Sequence, residues 1–236
     1  MQNTFTPNIN DTFIAMFTHD LKTPINSGIY ALEMILNDKS NPINSYHREI
    51  LNDILNSEKY MKNLTENMLC KYKSDNGYLD LNKEKCNFTK LVKNCISDMS
   101  YIVNEKKQTL IFNAPEEDIF INADILNIKR VINNLISNAS KYSKTSSKIL
   151  VTLEVNKNNA IFQVQDFGYG IEINNLSKVF DKYVRLANKQ KTSGTGLGLY
   201  VAKIITDAHK GSIDIKSKKD YGTTVTIKLP LMSKKH

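Results

Sequence analysis

Residues 13–24 read FIAMFTHDLKTP and place His19 beside Asp20 in a segment with helical periodicity. Apolar residues recur every three or four positions here and further along, which predicts one buried stripe on a helix. They are Phe17, Leu21, Ile25, Ile29, Leu32 and Leu36. His19 stands two positions from both Phe17 and Leu21, so at about 100° per residue it points away from the stripe. The pattern predicts an imidazole exposed to solvent next to a carboxylate.

An exposed imidazole can act as a nucleophile, because its neutral form carries a free lone pair near neutral pH. The carboxylate of Asp20 can hydrogen-bond one ring nitrogen and leave the other free to attack. A single histidine on a helix is more commonly a solvated surface residue. Motifs elsewhere in the chain must therefore decide between the two interpretations.

Two long amphipathic helices are predicted, from residue 11 or 12 to Leu36 and from Ser45 to Tyr72, with Pro24 bending the first. In the second helix a row of residues recurs at alternating steps of four and three, the spacing of a helical-bundle seam. The row consists of Ile50, Ile54, Ser57, Met61, Leu64 and Met68. We expect an antiparallel hairpin that pairs with a second copy through residues 12–72, giving a homodimeric four-helix bundle. The alternative is a hairpin packed on its own C-terminal domain.

The composition is that of an ordinary folded protein, with 41% hydrophobic and 24% charged residues among 236. No apolar run is long enough to cross a membrane, and the start MQNTFTPNIN does not resemble a secretory signal. The three cysteines, Cys70, Cys86 and Cys95, show no CxxC spacing, so we expect reduced thiols and a cytoplasmic location. The net charge of +8 is spread along the chain without a dense basic run. We therefore expect no nucleic-acid partner.

Residues 73–77, KSDNG, read as a linker, and beyond it strand and helix patterns are mixed. Strands are predicted at 78–88, 109–112, 119–121, 148–155, 160–165, 212–217 and 223–229, and helices at 89–107, 124–142 and 195–208. The chain is thus predicted to have two domains, 1–74 and 78–232. The fold class is a helical hairpin followed by an α+β sandwich, with one mixed sheet and helices on one of its faces.

A first motif in the second domain is NLISNASKY, residues 134–142, on a predicted helix. Asn134 and Asn138 are four positions apart and share one face. Neutral oxygen donors suit a Mg²⁺ that keeps waters and takes its other ligands from phosphates. Lys141 can meet phosphate, and Tyr142 can line a base pocket. Alone, this motif is better explained as polar residues on an exposed helix face.

Two glycine-rich motifs follow. Asp166 opens DFGYG directly after a strand, where its carboxylate can accept from a base amino group while Gly168 and Gly170 allow close backbone approach. Residues 193–199, SGTGLGL, lead into a helix and can offer amides to phosphate. A protein kinase of the eukaryotic type is excluded, because no glycine-rich loop, strand lysine or HRD segment precedes DFG. Dinucleotide binding is disfavoured because SGTGLGL follows a long loop.

These motifs together resemble the boxes of sensor histidine kinases, in the same order and with similar spacing. FTHDLKTP resembles their phosphoacceptor box, NLISNASKY their asparagine box, and DFGYG and SGTGLGL their two glycine boxes. VFDKYVR, residues 179–185, resembles their phenylalanine box. The resemblance covers most of residues 12–230. Lys22 stands where arginine is more usual in the family and keeps the charge.

The resemblance implies that His19 takes the γ-phosphoryl group of ATP, that Asp20 orients or deprotonates it, and that Thr23 places water to dephosphorylate a partner. It implies that Asn138 holds Mg²⁺ with help from Asn134. The other residues implied to bind ATP are Lys141, Tyr142, Asp166, Gly168, Gly170, Phe180, Gly194, Thr195, Gly196, Leu197, Gly198 and Thr223. Residues 170–194 are implied to form a lid over ATP.

The function expected from this resemblance is an ATP- and Mg²⁺-dependent protein histidine kinase of a two-component system. It would autophosphorylate His19, transfer the group to an aspartate on a response regulator receiver domain, and also dephosphorylate that partner. The alternatives are a nucleotide-binding scaffold without transfer, an ATPase acting on another macromolecule, and a member of the same family that acts mainly as a phosphatase through Thr23. The phosphoacceptor box stands near Met1, so we expect either the core of a longer protein or sensing through another polypeptide.

Overall fold

The computed structural model describes residues 9–75, 79–184 and 196–232, without the side chains of residues 9–15, 17, 19, 71 and 75. The chain divides into two compact units. We call Met1–Tyr78 the hairpin unit and Leu79–His236 the sheet unit. The fold confirms the predicted class, a helical hairpin followed by an α+β sandwich with a mixed sheet.

The hairpin unit consists of helices α1, Ile9–Asn37, and α2, Ser45–Asp75, packed against each other. Asn44 caps α2, because its side-chain oxygen accepts from the His47 backbone N–H at 2.8 Å. The Arg48 guanidinium donates to the Leu36 carbonyl at 3.0 Å and satisfies an exposed end of α1. The turn between the helices therefore fixes both helix ends.

The hairpin core is small and follows part of the predicted stripe. Ile25, Ile29 and Leu55 are buried, and Leu32 and Leu36 pack against them. Leu21, predicted to belong to this stripe, is instead 37% exposed. The α2 residue of this cluster is Leu55, which the predicted seam did not include.

The predicted seam on α2 lies mostly at the surface of the single chain. Its exposed members are Ile50, Ile54, Met61 and Met68, at 40–50% of their accessible area. Four large apolar residues of one helix are therefore left without cover by the described part of this chain.

The sheet unit contains seven strands and three α-helices among its described residues. In chain order these are β1 Glu84–Asn87, α3 Phe88–Glu105, β2 Thr109–Asn113, β3 Phe120–Ala123, α4 Ile125–Tyr142, β4 Lys148–Asn156, β5 Asn159–Asp166, a 3-10 helix Ile173–Lys178, α5 Gly198–Ala208, β6 Ser212–Lys218 and β7 Gly222–Pro230. The main sheet has the order β2-β4-β5-β7-β6, with β2 parallel to β4 and the other neighbours antiparallel.

The prediction of one sheet was wrong in one respect, since β1 and β3 pair with each other in a separate two-stranded sheet. The strand predicted at 78–88 is also shorter, at Glu84–Asn87. Asn87 ends it because its side chain accepts from the Lys90 backbone N–H at 2.9 Å and starts α3. The helix predicted from residue 195 is described from Gly198 onward.

One face of the main sheet is buried under the helices. Along β5, alternate residues Ala160, Phe162, Val164 and Asp166 are buried, as expected for a strand with one covered face. The Phe162 ring packs against Phe88 at the start of α3, with ring centroids 6.0 Å apart. The helices α3, α4 and α5 therefore form one layer and the sheet the other.

A buried histidine joins two helix ends within the sheet unit. His209 Nε2 accepts from the Asp124 backbone N–H at 3.0 Å, and its Nδ1 donates to the Ile205 carbonyl at 2.7 Å. Burial lowers the pKa of His209, so the neutral ring that this bonding pattern requires is the favoured form. Asp124 also caps α4 by accepting from the Asn127 backbone N–H at 3.0 Å.

Cys70, Cys86 and Cys95 are all buried free thiols. Burial raises the pKa of the Cys86 thiol, and it raises that of Cys95 to about 11. Across the described residues, each helix is too short or too polar to pass through a lipid bilayer.

Candidate functional site

Five predicted site residues line one cavity in the sheet unit. The cavity has a volume of about 100 Å³ and lies between α4, the inner face of the sheet and the segment after β5. Its wall includes Asn138 and Tyr142 from α4, Asp166 and Gly170 from the DFGYG motif, and Thr223 from β7. Residues from three separate parts of the sequence thus converge on one space.

A larger open groove of about 1300 Å³ lies at the opposite end of the β4–β5 hairpin, beside Pro115, Phe120, Val155 and Met232. No predicted nucleotide-binding residue lines it. We place the candidate site at the smaller cavity, because residues of the predicted nucleotide-binding motifs converge there and do not line the groove.

Asp166 is the last residue of β5, and strand alternation turns its carboxyl toward the buried face. Its Oδ1 accepts from the Gly168 backbone N–H at 2.9 Å and from the Thr223 backbone N–H at 3.3 Å. Burial raises the pKa of Asp166 to about 6, and the two hydrogen bonds oppose this shift. A carboxylate poised this way is a candidate for specific ligand recognition rather than a solvated surface acid.

The DFGYG loop packs so closely that two of its positions admit only glycine. A Cβ on Gly168 would lie 2.0 Å from the Tyr142 carbonyl oxygen, and one on Gly170 would lie 2.0 Å from that of Lys218. Gly170 also has φ +61°, which disfavours residues with a side chain. The Tyr169 backbone N–H donates to the Tyr142 carbonyl at 3.2 Å, so this loop is bonded to the end of α4.

Ser217 is a site residue that the sequence motifs did not reveal. Its hydroxyl accepts from the Ile171 backbone N–H at 2.8 Å and donates to the Gly222 carbonyl at 2.8 Å. Since that uses its proton, the Thr223 hydroxyl donates to the Ser217 oxygen across 2.8 Å. Ser217 therefore joins the DFGYG loop to β7. A serine on an exposed-looking strand gave no sequence signal of this role.

The two asparagines of the NLISNASKY motif lie against the start of α5. Asn134 Nδ2 donates to the Gly198 carbonyl at 3.4 Å. A Cβ on Gly198 would lie 3.6 Å from Asn138 Nδ2 and 3.9 Å from Asn134 Cγ. The Asn134 hydrogen bond uses its nitrogen and does not occupy the amide oxygen.

This donor set fits a Mg²⁺ that is bound mainly through a ligand. Within the described residues, no group of three His, Cys, Asp or Glu side chains is placed to hold a metal ion. The chain therefore offers amide oxygens rather than a cage of carboxylates. Mg²⁺ bound to phosphates needs only one or two protein ligands and keeps several waters.

The other predicted ATP-binding residues that the structure describes do not line the cavity. Gly168 packs behind the wall, and Lys141 Nζ lies 4.9 Å from the Tyr142 ring centroid. Gly196 has φ +69°, Leu197 is buried, and Gly198 begins α5. Gly194 and Thr195 lie outside the described residues.

Phe180 is held by a cation–π contact, with the Lys203 ammonium of α5 at 6.0 Å from its ring centroid. Two residues after Phe180, the Lys182 ammonium lies 5.2 Å from the centroid of the Tyr200 ring of α5. In this second pair the segment supplies the cation and α5 supplies the ring. These two pairs attach the segment after the 3-10 helix to α5. Val179, next to Phe180, is the residue that reaches the cavity wall.

The phosphoacceptor motif belongs to the hairpin unit, on α1. His19 lies within this helix, but its side chain is outside the described part of the structure. Its neighbours Asp20 and Thr23 are exposed, whereas Thr18 is 4% exposed. Lys22 pairs with Glu66 of α2 at 4.0 Å. The predicted exposure of His19 therefore stays a prediction.

Two protein families match the chain. Residues 9–77 match the His Kinase A (phospho-acceptor) domain, and residues 123–233 match the histidine kinase-, DNA gyrase B- and HSP90-like ATPase. Sensor histidine kinase YvrG of Bacillus subtilis is 31% identical over 219 residues, covering 92% of this chain and 38% of that protein. Sensor protein SrrB of Staphylococcus aureus is 31% identical over 220 residues, with 92% and 37% covered.

Solved structures of similar fold include full-length ShkA in complex with AMPPNP, with a TM-score of 0.72 and 19% identity over 95% of this chain and 47% of that one. The histidine kinase AdeS of Acinetobacter baumannii has a TM-score of 0.64 and 25% identity over 91% of this chain and 98% of that one. The chain spans less than two fifths of the length of the two curated relatives.

Proposed function

The chain belongs to the histidine kinase family, and on that premise we propose that it phosphorylates His19 from ATP and passes the group to a response regulator. The observation that carries this proposal is the convergence of Asn138, Tyr142, Asp166, Gly170 and Thr223 on one cavity. The hairpin unit supplies the acceptor, and the sheet unit supplies the nucleotide site.

In this proposal the cavity holds the adenine of ATP. Asp166 accepts a hydrogen bond from the adenine amino group through Oδ2, because the Gly168 and Thr223 backbone N–H groups both donate to Oδ1. Tyr142 packs beside the base, and Gly170 lets the backbone approach it. A buried carboxylate must stay ionised to accept this hydrogen bond. It therefore discriminates strongly against a base that has no hydrogen-bond donor at that position.

The phosphates extend from the cavity toward α5. Gly196, Leu197 and Gly198 present the start of this helix, where backbone amides favour anions. Phe180 and the described part of the segment after Gly170 border the phosphates, and Lys141 contributes a positive charge. Asn138 and Asn134 would hold Mg²⁺ through their amide oxygens, and the metal supplies charge neutralisation for phosphoryl transfer.

On α1, one ring nitrogen of His19 attacks the γ-phosphorus, and the bond from that phosphorus to the β–γ bridging oxygen breaks, releasing ADP. Asp20, the next residue and exposed, accepts the proton from the other ring nitrogen and orients the ring. This pairing of a nucleophile with a neighbouring base is the usual way to activate a neutral imidazole.

Labelling with γ-labelled ATP and Mg²⁺ tests the proposal. We expect acid-labile, alkali-stable label on the wild type, less than about 1% of it on His19→Gln, and about 100-fold slower labelling for Asn138→Ala. His47→Gln is a matched control on α2 and should label normally. Label that persists on His19→Gln overturns the acceptor assignment. Tight ATP binding with no label favours a scaffold, and steady hydrolysis without phosphohistidine favours an ATPase.

We further propose that the partner is a receiver domain carrying an acceptor aspartate, and that Thr23 helps to remove its phosphate. Thr23 is exposed one turn after His19, where its hydroxyl can orient a water. In an assay starting from phosphorylated regulator and ADP, Thr23→Ala should lose dephosphorylation and keep His19 labelling. Loss of both activities together would point to a damaged helix instead.

We propose that the hairpin unit forms a homodimer through residues 12–72. The exposed row of Ile50, Ile54, Met61 and Met68, interrupted by Ser57, supports this, because an apolar row at bundle spacing favours association. Ile54→Glu together with Met61→Glu should give a monomer by sedimentation equilibrium. Leu126→Glu, which changes an 80% exposed leucine of α4, should leave the dimer intact.

Mixing subunits tests whether transfer occurs within one chain or across the dimer. If His19→Gln and Asn138→Ala subunits regain label when mixed, the phosphoryl group crosses between subunits. If they stay unlabelled although they exchange, transfer is within one chain.

A further inference from the structure

The end of α4 is held by a buried side chain that belongs to none of the nucleotide-binding motifs. Gln108 lies between α3 and β2 and is only 2% exposed. Its Nε2 donates to the Ser140 carbonyl at 3.0 Å and to the Lys144 carbonyl at 3.1 Å. Its Oε1 accepts from the Ser140 hydroxyl at 2.7 Å.

This bonding fully uses the amide and fixes its orientation. An amide nitrogen has two protons and both meet carbonyls, while the oxygen meets a donor. Turning the amide over would place its oxygen against the two carbonyl oxygens. A buried polar group satisfied on every side has one favoured position, so it also fixes the groups it contacts.

The groups that Gln108 contacts flank the residues that border the nucleotide cavity. Ser140 and Lys144 stand two residues before and two after Tyr142, which lines the cavity. The Tyr142 carbonyl accepts from the Tyr169 N–H at 3.2 Å and lies where a Cβ on Gly168 would be 2.0 Å away. A shift of this turn would therefore move the Tyr142 ring and the loop after Asp166 together.

We propose that Gln108 is a positioning residue for nucleotide binding, which fixes the last turn of α4 and through it the Tyr142 and Gly168 wall of the base pocket. The inference rests on the proposed function for its ligand. It adds a residue outside the NLISNASKY, DFGYG and SGTGLGL motifs to those that determine affinity. Gln108 acts through the backbone of α4 and does not itself line the cavity.

Gln108→Met is the direct test, because it keeps the length of the side chain and removes its donors. The variant should fold, since the Ser140 carbonyl retains the Lys106 ammonium at 3.2 Å and the Lys144 carbonyl retains the Ser147 hydroxyl at 2.7 Å. We expect ADP to bind about tenfold more weakly by calorimetry, because small displacements of a binding wall are costly.

Gln163→Met is the matched control. Gln163 Nε2 also makes a side-chain hydrogen bond, to the Thr226 hydroxyl at 3.0 Å, but it lies on the sheet face opposite Asp166. The same substitution there should change ADP affinity by less than about twofold. Both variants are compared at a temperature where circular dichroism shows them fully folded.

Amide hydrogen exchange provides a readout that needs no nucleotide. In Gln108→Met, the Tyr169 amide should exchange faster while amides at the centre of β5 stay protected. Ser140→Ala, which removes only the donor to Oε1, should shift the Tyr169 amide in the same direction by less. If Gln108→Met does not fold, Ser140→Ala still allows the exchange of the Tyr169 amide to be tested.

Weaker ADP binding together with faster Tyr169 exchange, both absent in Gln163→Met, supports the inference. Unchanged ADP affinity in folded Gln108→Met, or unchanged Tyr169 exchange in both Gln108→Met and Ser140→Ala, overturns it. Failure of the wild type to bind ADP overturns the proposed function instead, and the exchange data still decide whether Gln108 holds the loop.

Discussion

The hairpin unit and the sheet unit bury their apolar residues to different extents. Among the described side chains, the largest fully buried ones all belong to the sheet unit, including Phe88, Phe162 and Leu197. Among the described side chains, the hairpin has a small core cluster around Ile25, Ile29 and Leu55, and it exposes a row of Ile and Met. A unit with a closed core is stable by itself, whereas a two-helix unit gains much of its stability from association.

The largest expected effect compares one core residue of each unit. Phe162→Ala should destabilise the sheet unit by about 3–5 kcal/mol, since it leaves a cavity against Phe88. Leu55→Ala should destabilise the hairpin unit by about 2–3 kcal/mol. Urea titrations at two protein concentrations measure both.

The concentration dependence is what distinguishes the units. Only the hairpin transition should move to higher urea as protein concentration rises, because only that unit is proposed to dimerise. Concentration-independent midpoints for both transitions would contradict the contrast between the units.

The second effect is a pH dependence confined to the sheet unit. The pKa of Asp166 is raised to about 6 by burial, so between about pH 4 and pH 6 the folded state binds more protons than the unfolded state. The contribution of Asp166 to stability therefore falls as pH rises through this window, by about 3 kcal/mol, and is level above it. Asp166→Asn should remove this contribution, measured as the difference from the wild type in urea titrations from pH 4.5 to pH 7.5.

The same variant separates stability from function. Above pH 6, Asp166→Asn should be more stable than the wild type and bind ADP more weakly, because it loses the ionised acceptor. Asp214→Asn, at an exposed position of β6, is the control and should keep both the slope and the affinity. The same pH dependence in the wild type and in Asp166→Asn across this window would contradict the raised pKa.

The third effect uses one substitution with opposite expected signs. Gly170→Ala should destabilise the sheet unit by about 1–3 kcal/mol, since it strains a φ of +61° and places Cβ 2.0 Å from the Lys218 carbonyl. Gly28→Ala should stabilise α1 by about 0.5–1 kcal/mol, because the new Cβ meets Glu58 at an ordinary 3.4 Å. Thermal unfolding of both variants measures the signs, and a destabilised Gly28→Ala would show that the hairpin is tighter than described.

Local signals predicted most of the elements and much of the site. The two helices of the hairpin follow from the period of their apolar residues, and the glycines of DFGYG follow from the need for close approach of the backbone. Asn138, Asp166 and Thr223 were placed together only through a resemblance to a family. No spacing within the sequence states that residues 138, 166 and 223 meet.

The features missed from the sequence depend on contacts between distant residues. Strand β3 has ordinary strand composition, and nothing local indicates that it pairs with β1 rather than with the main sheet. Leu126 belongs to an apolar helix pattern but is 80% exposed. Gln108 and Ser217 gain their roles from partners more than 30 and 45 residues away. Polar residues that hold distant backbone segments in place in this way produce no periodic pattern in the sequence.

The three buried cysteines have a practical consequence for spectroscopy. A thiol must ionise and be reached before it reacts, and these are inaccessible, with the pKa of Cys95 at about 11. Maleimide dyes should therefore leave the native wild-type chain unmodified. Cysteines introduced at Tyr30 on α1 and at Tyr221 beside β7, both exposed, would be the reactive positions. A fluorophore pair on them could follow the separation of the two units during turnover without first stripping the native thiols.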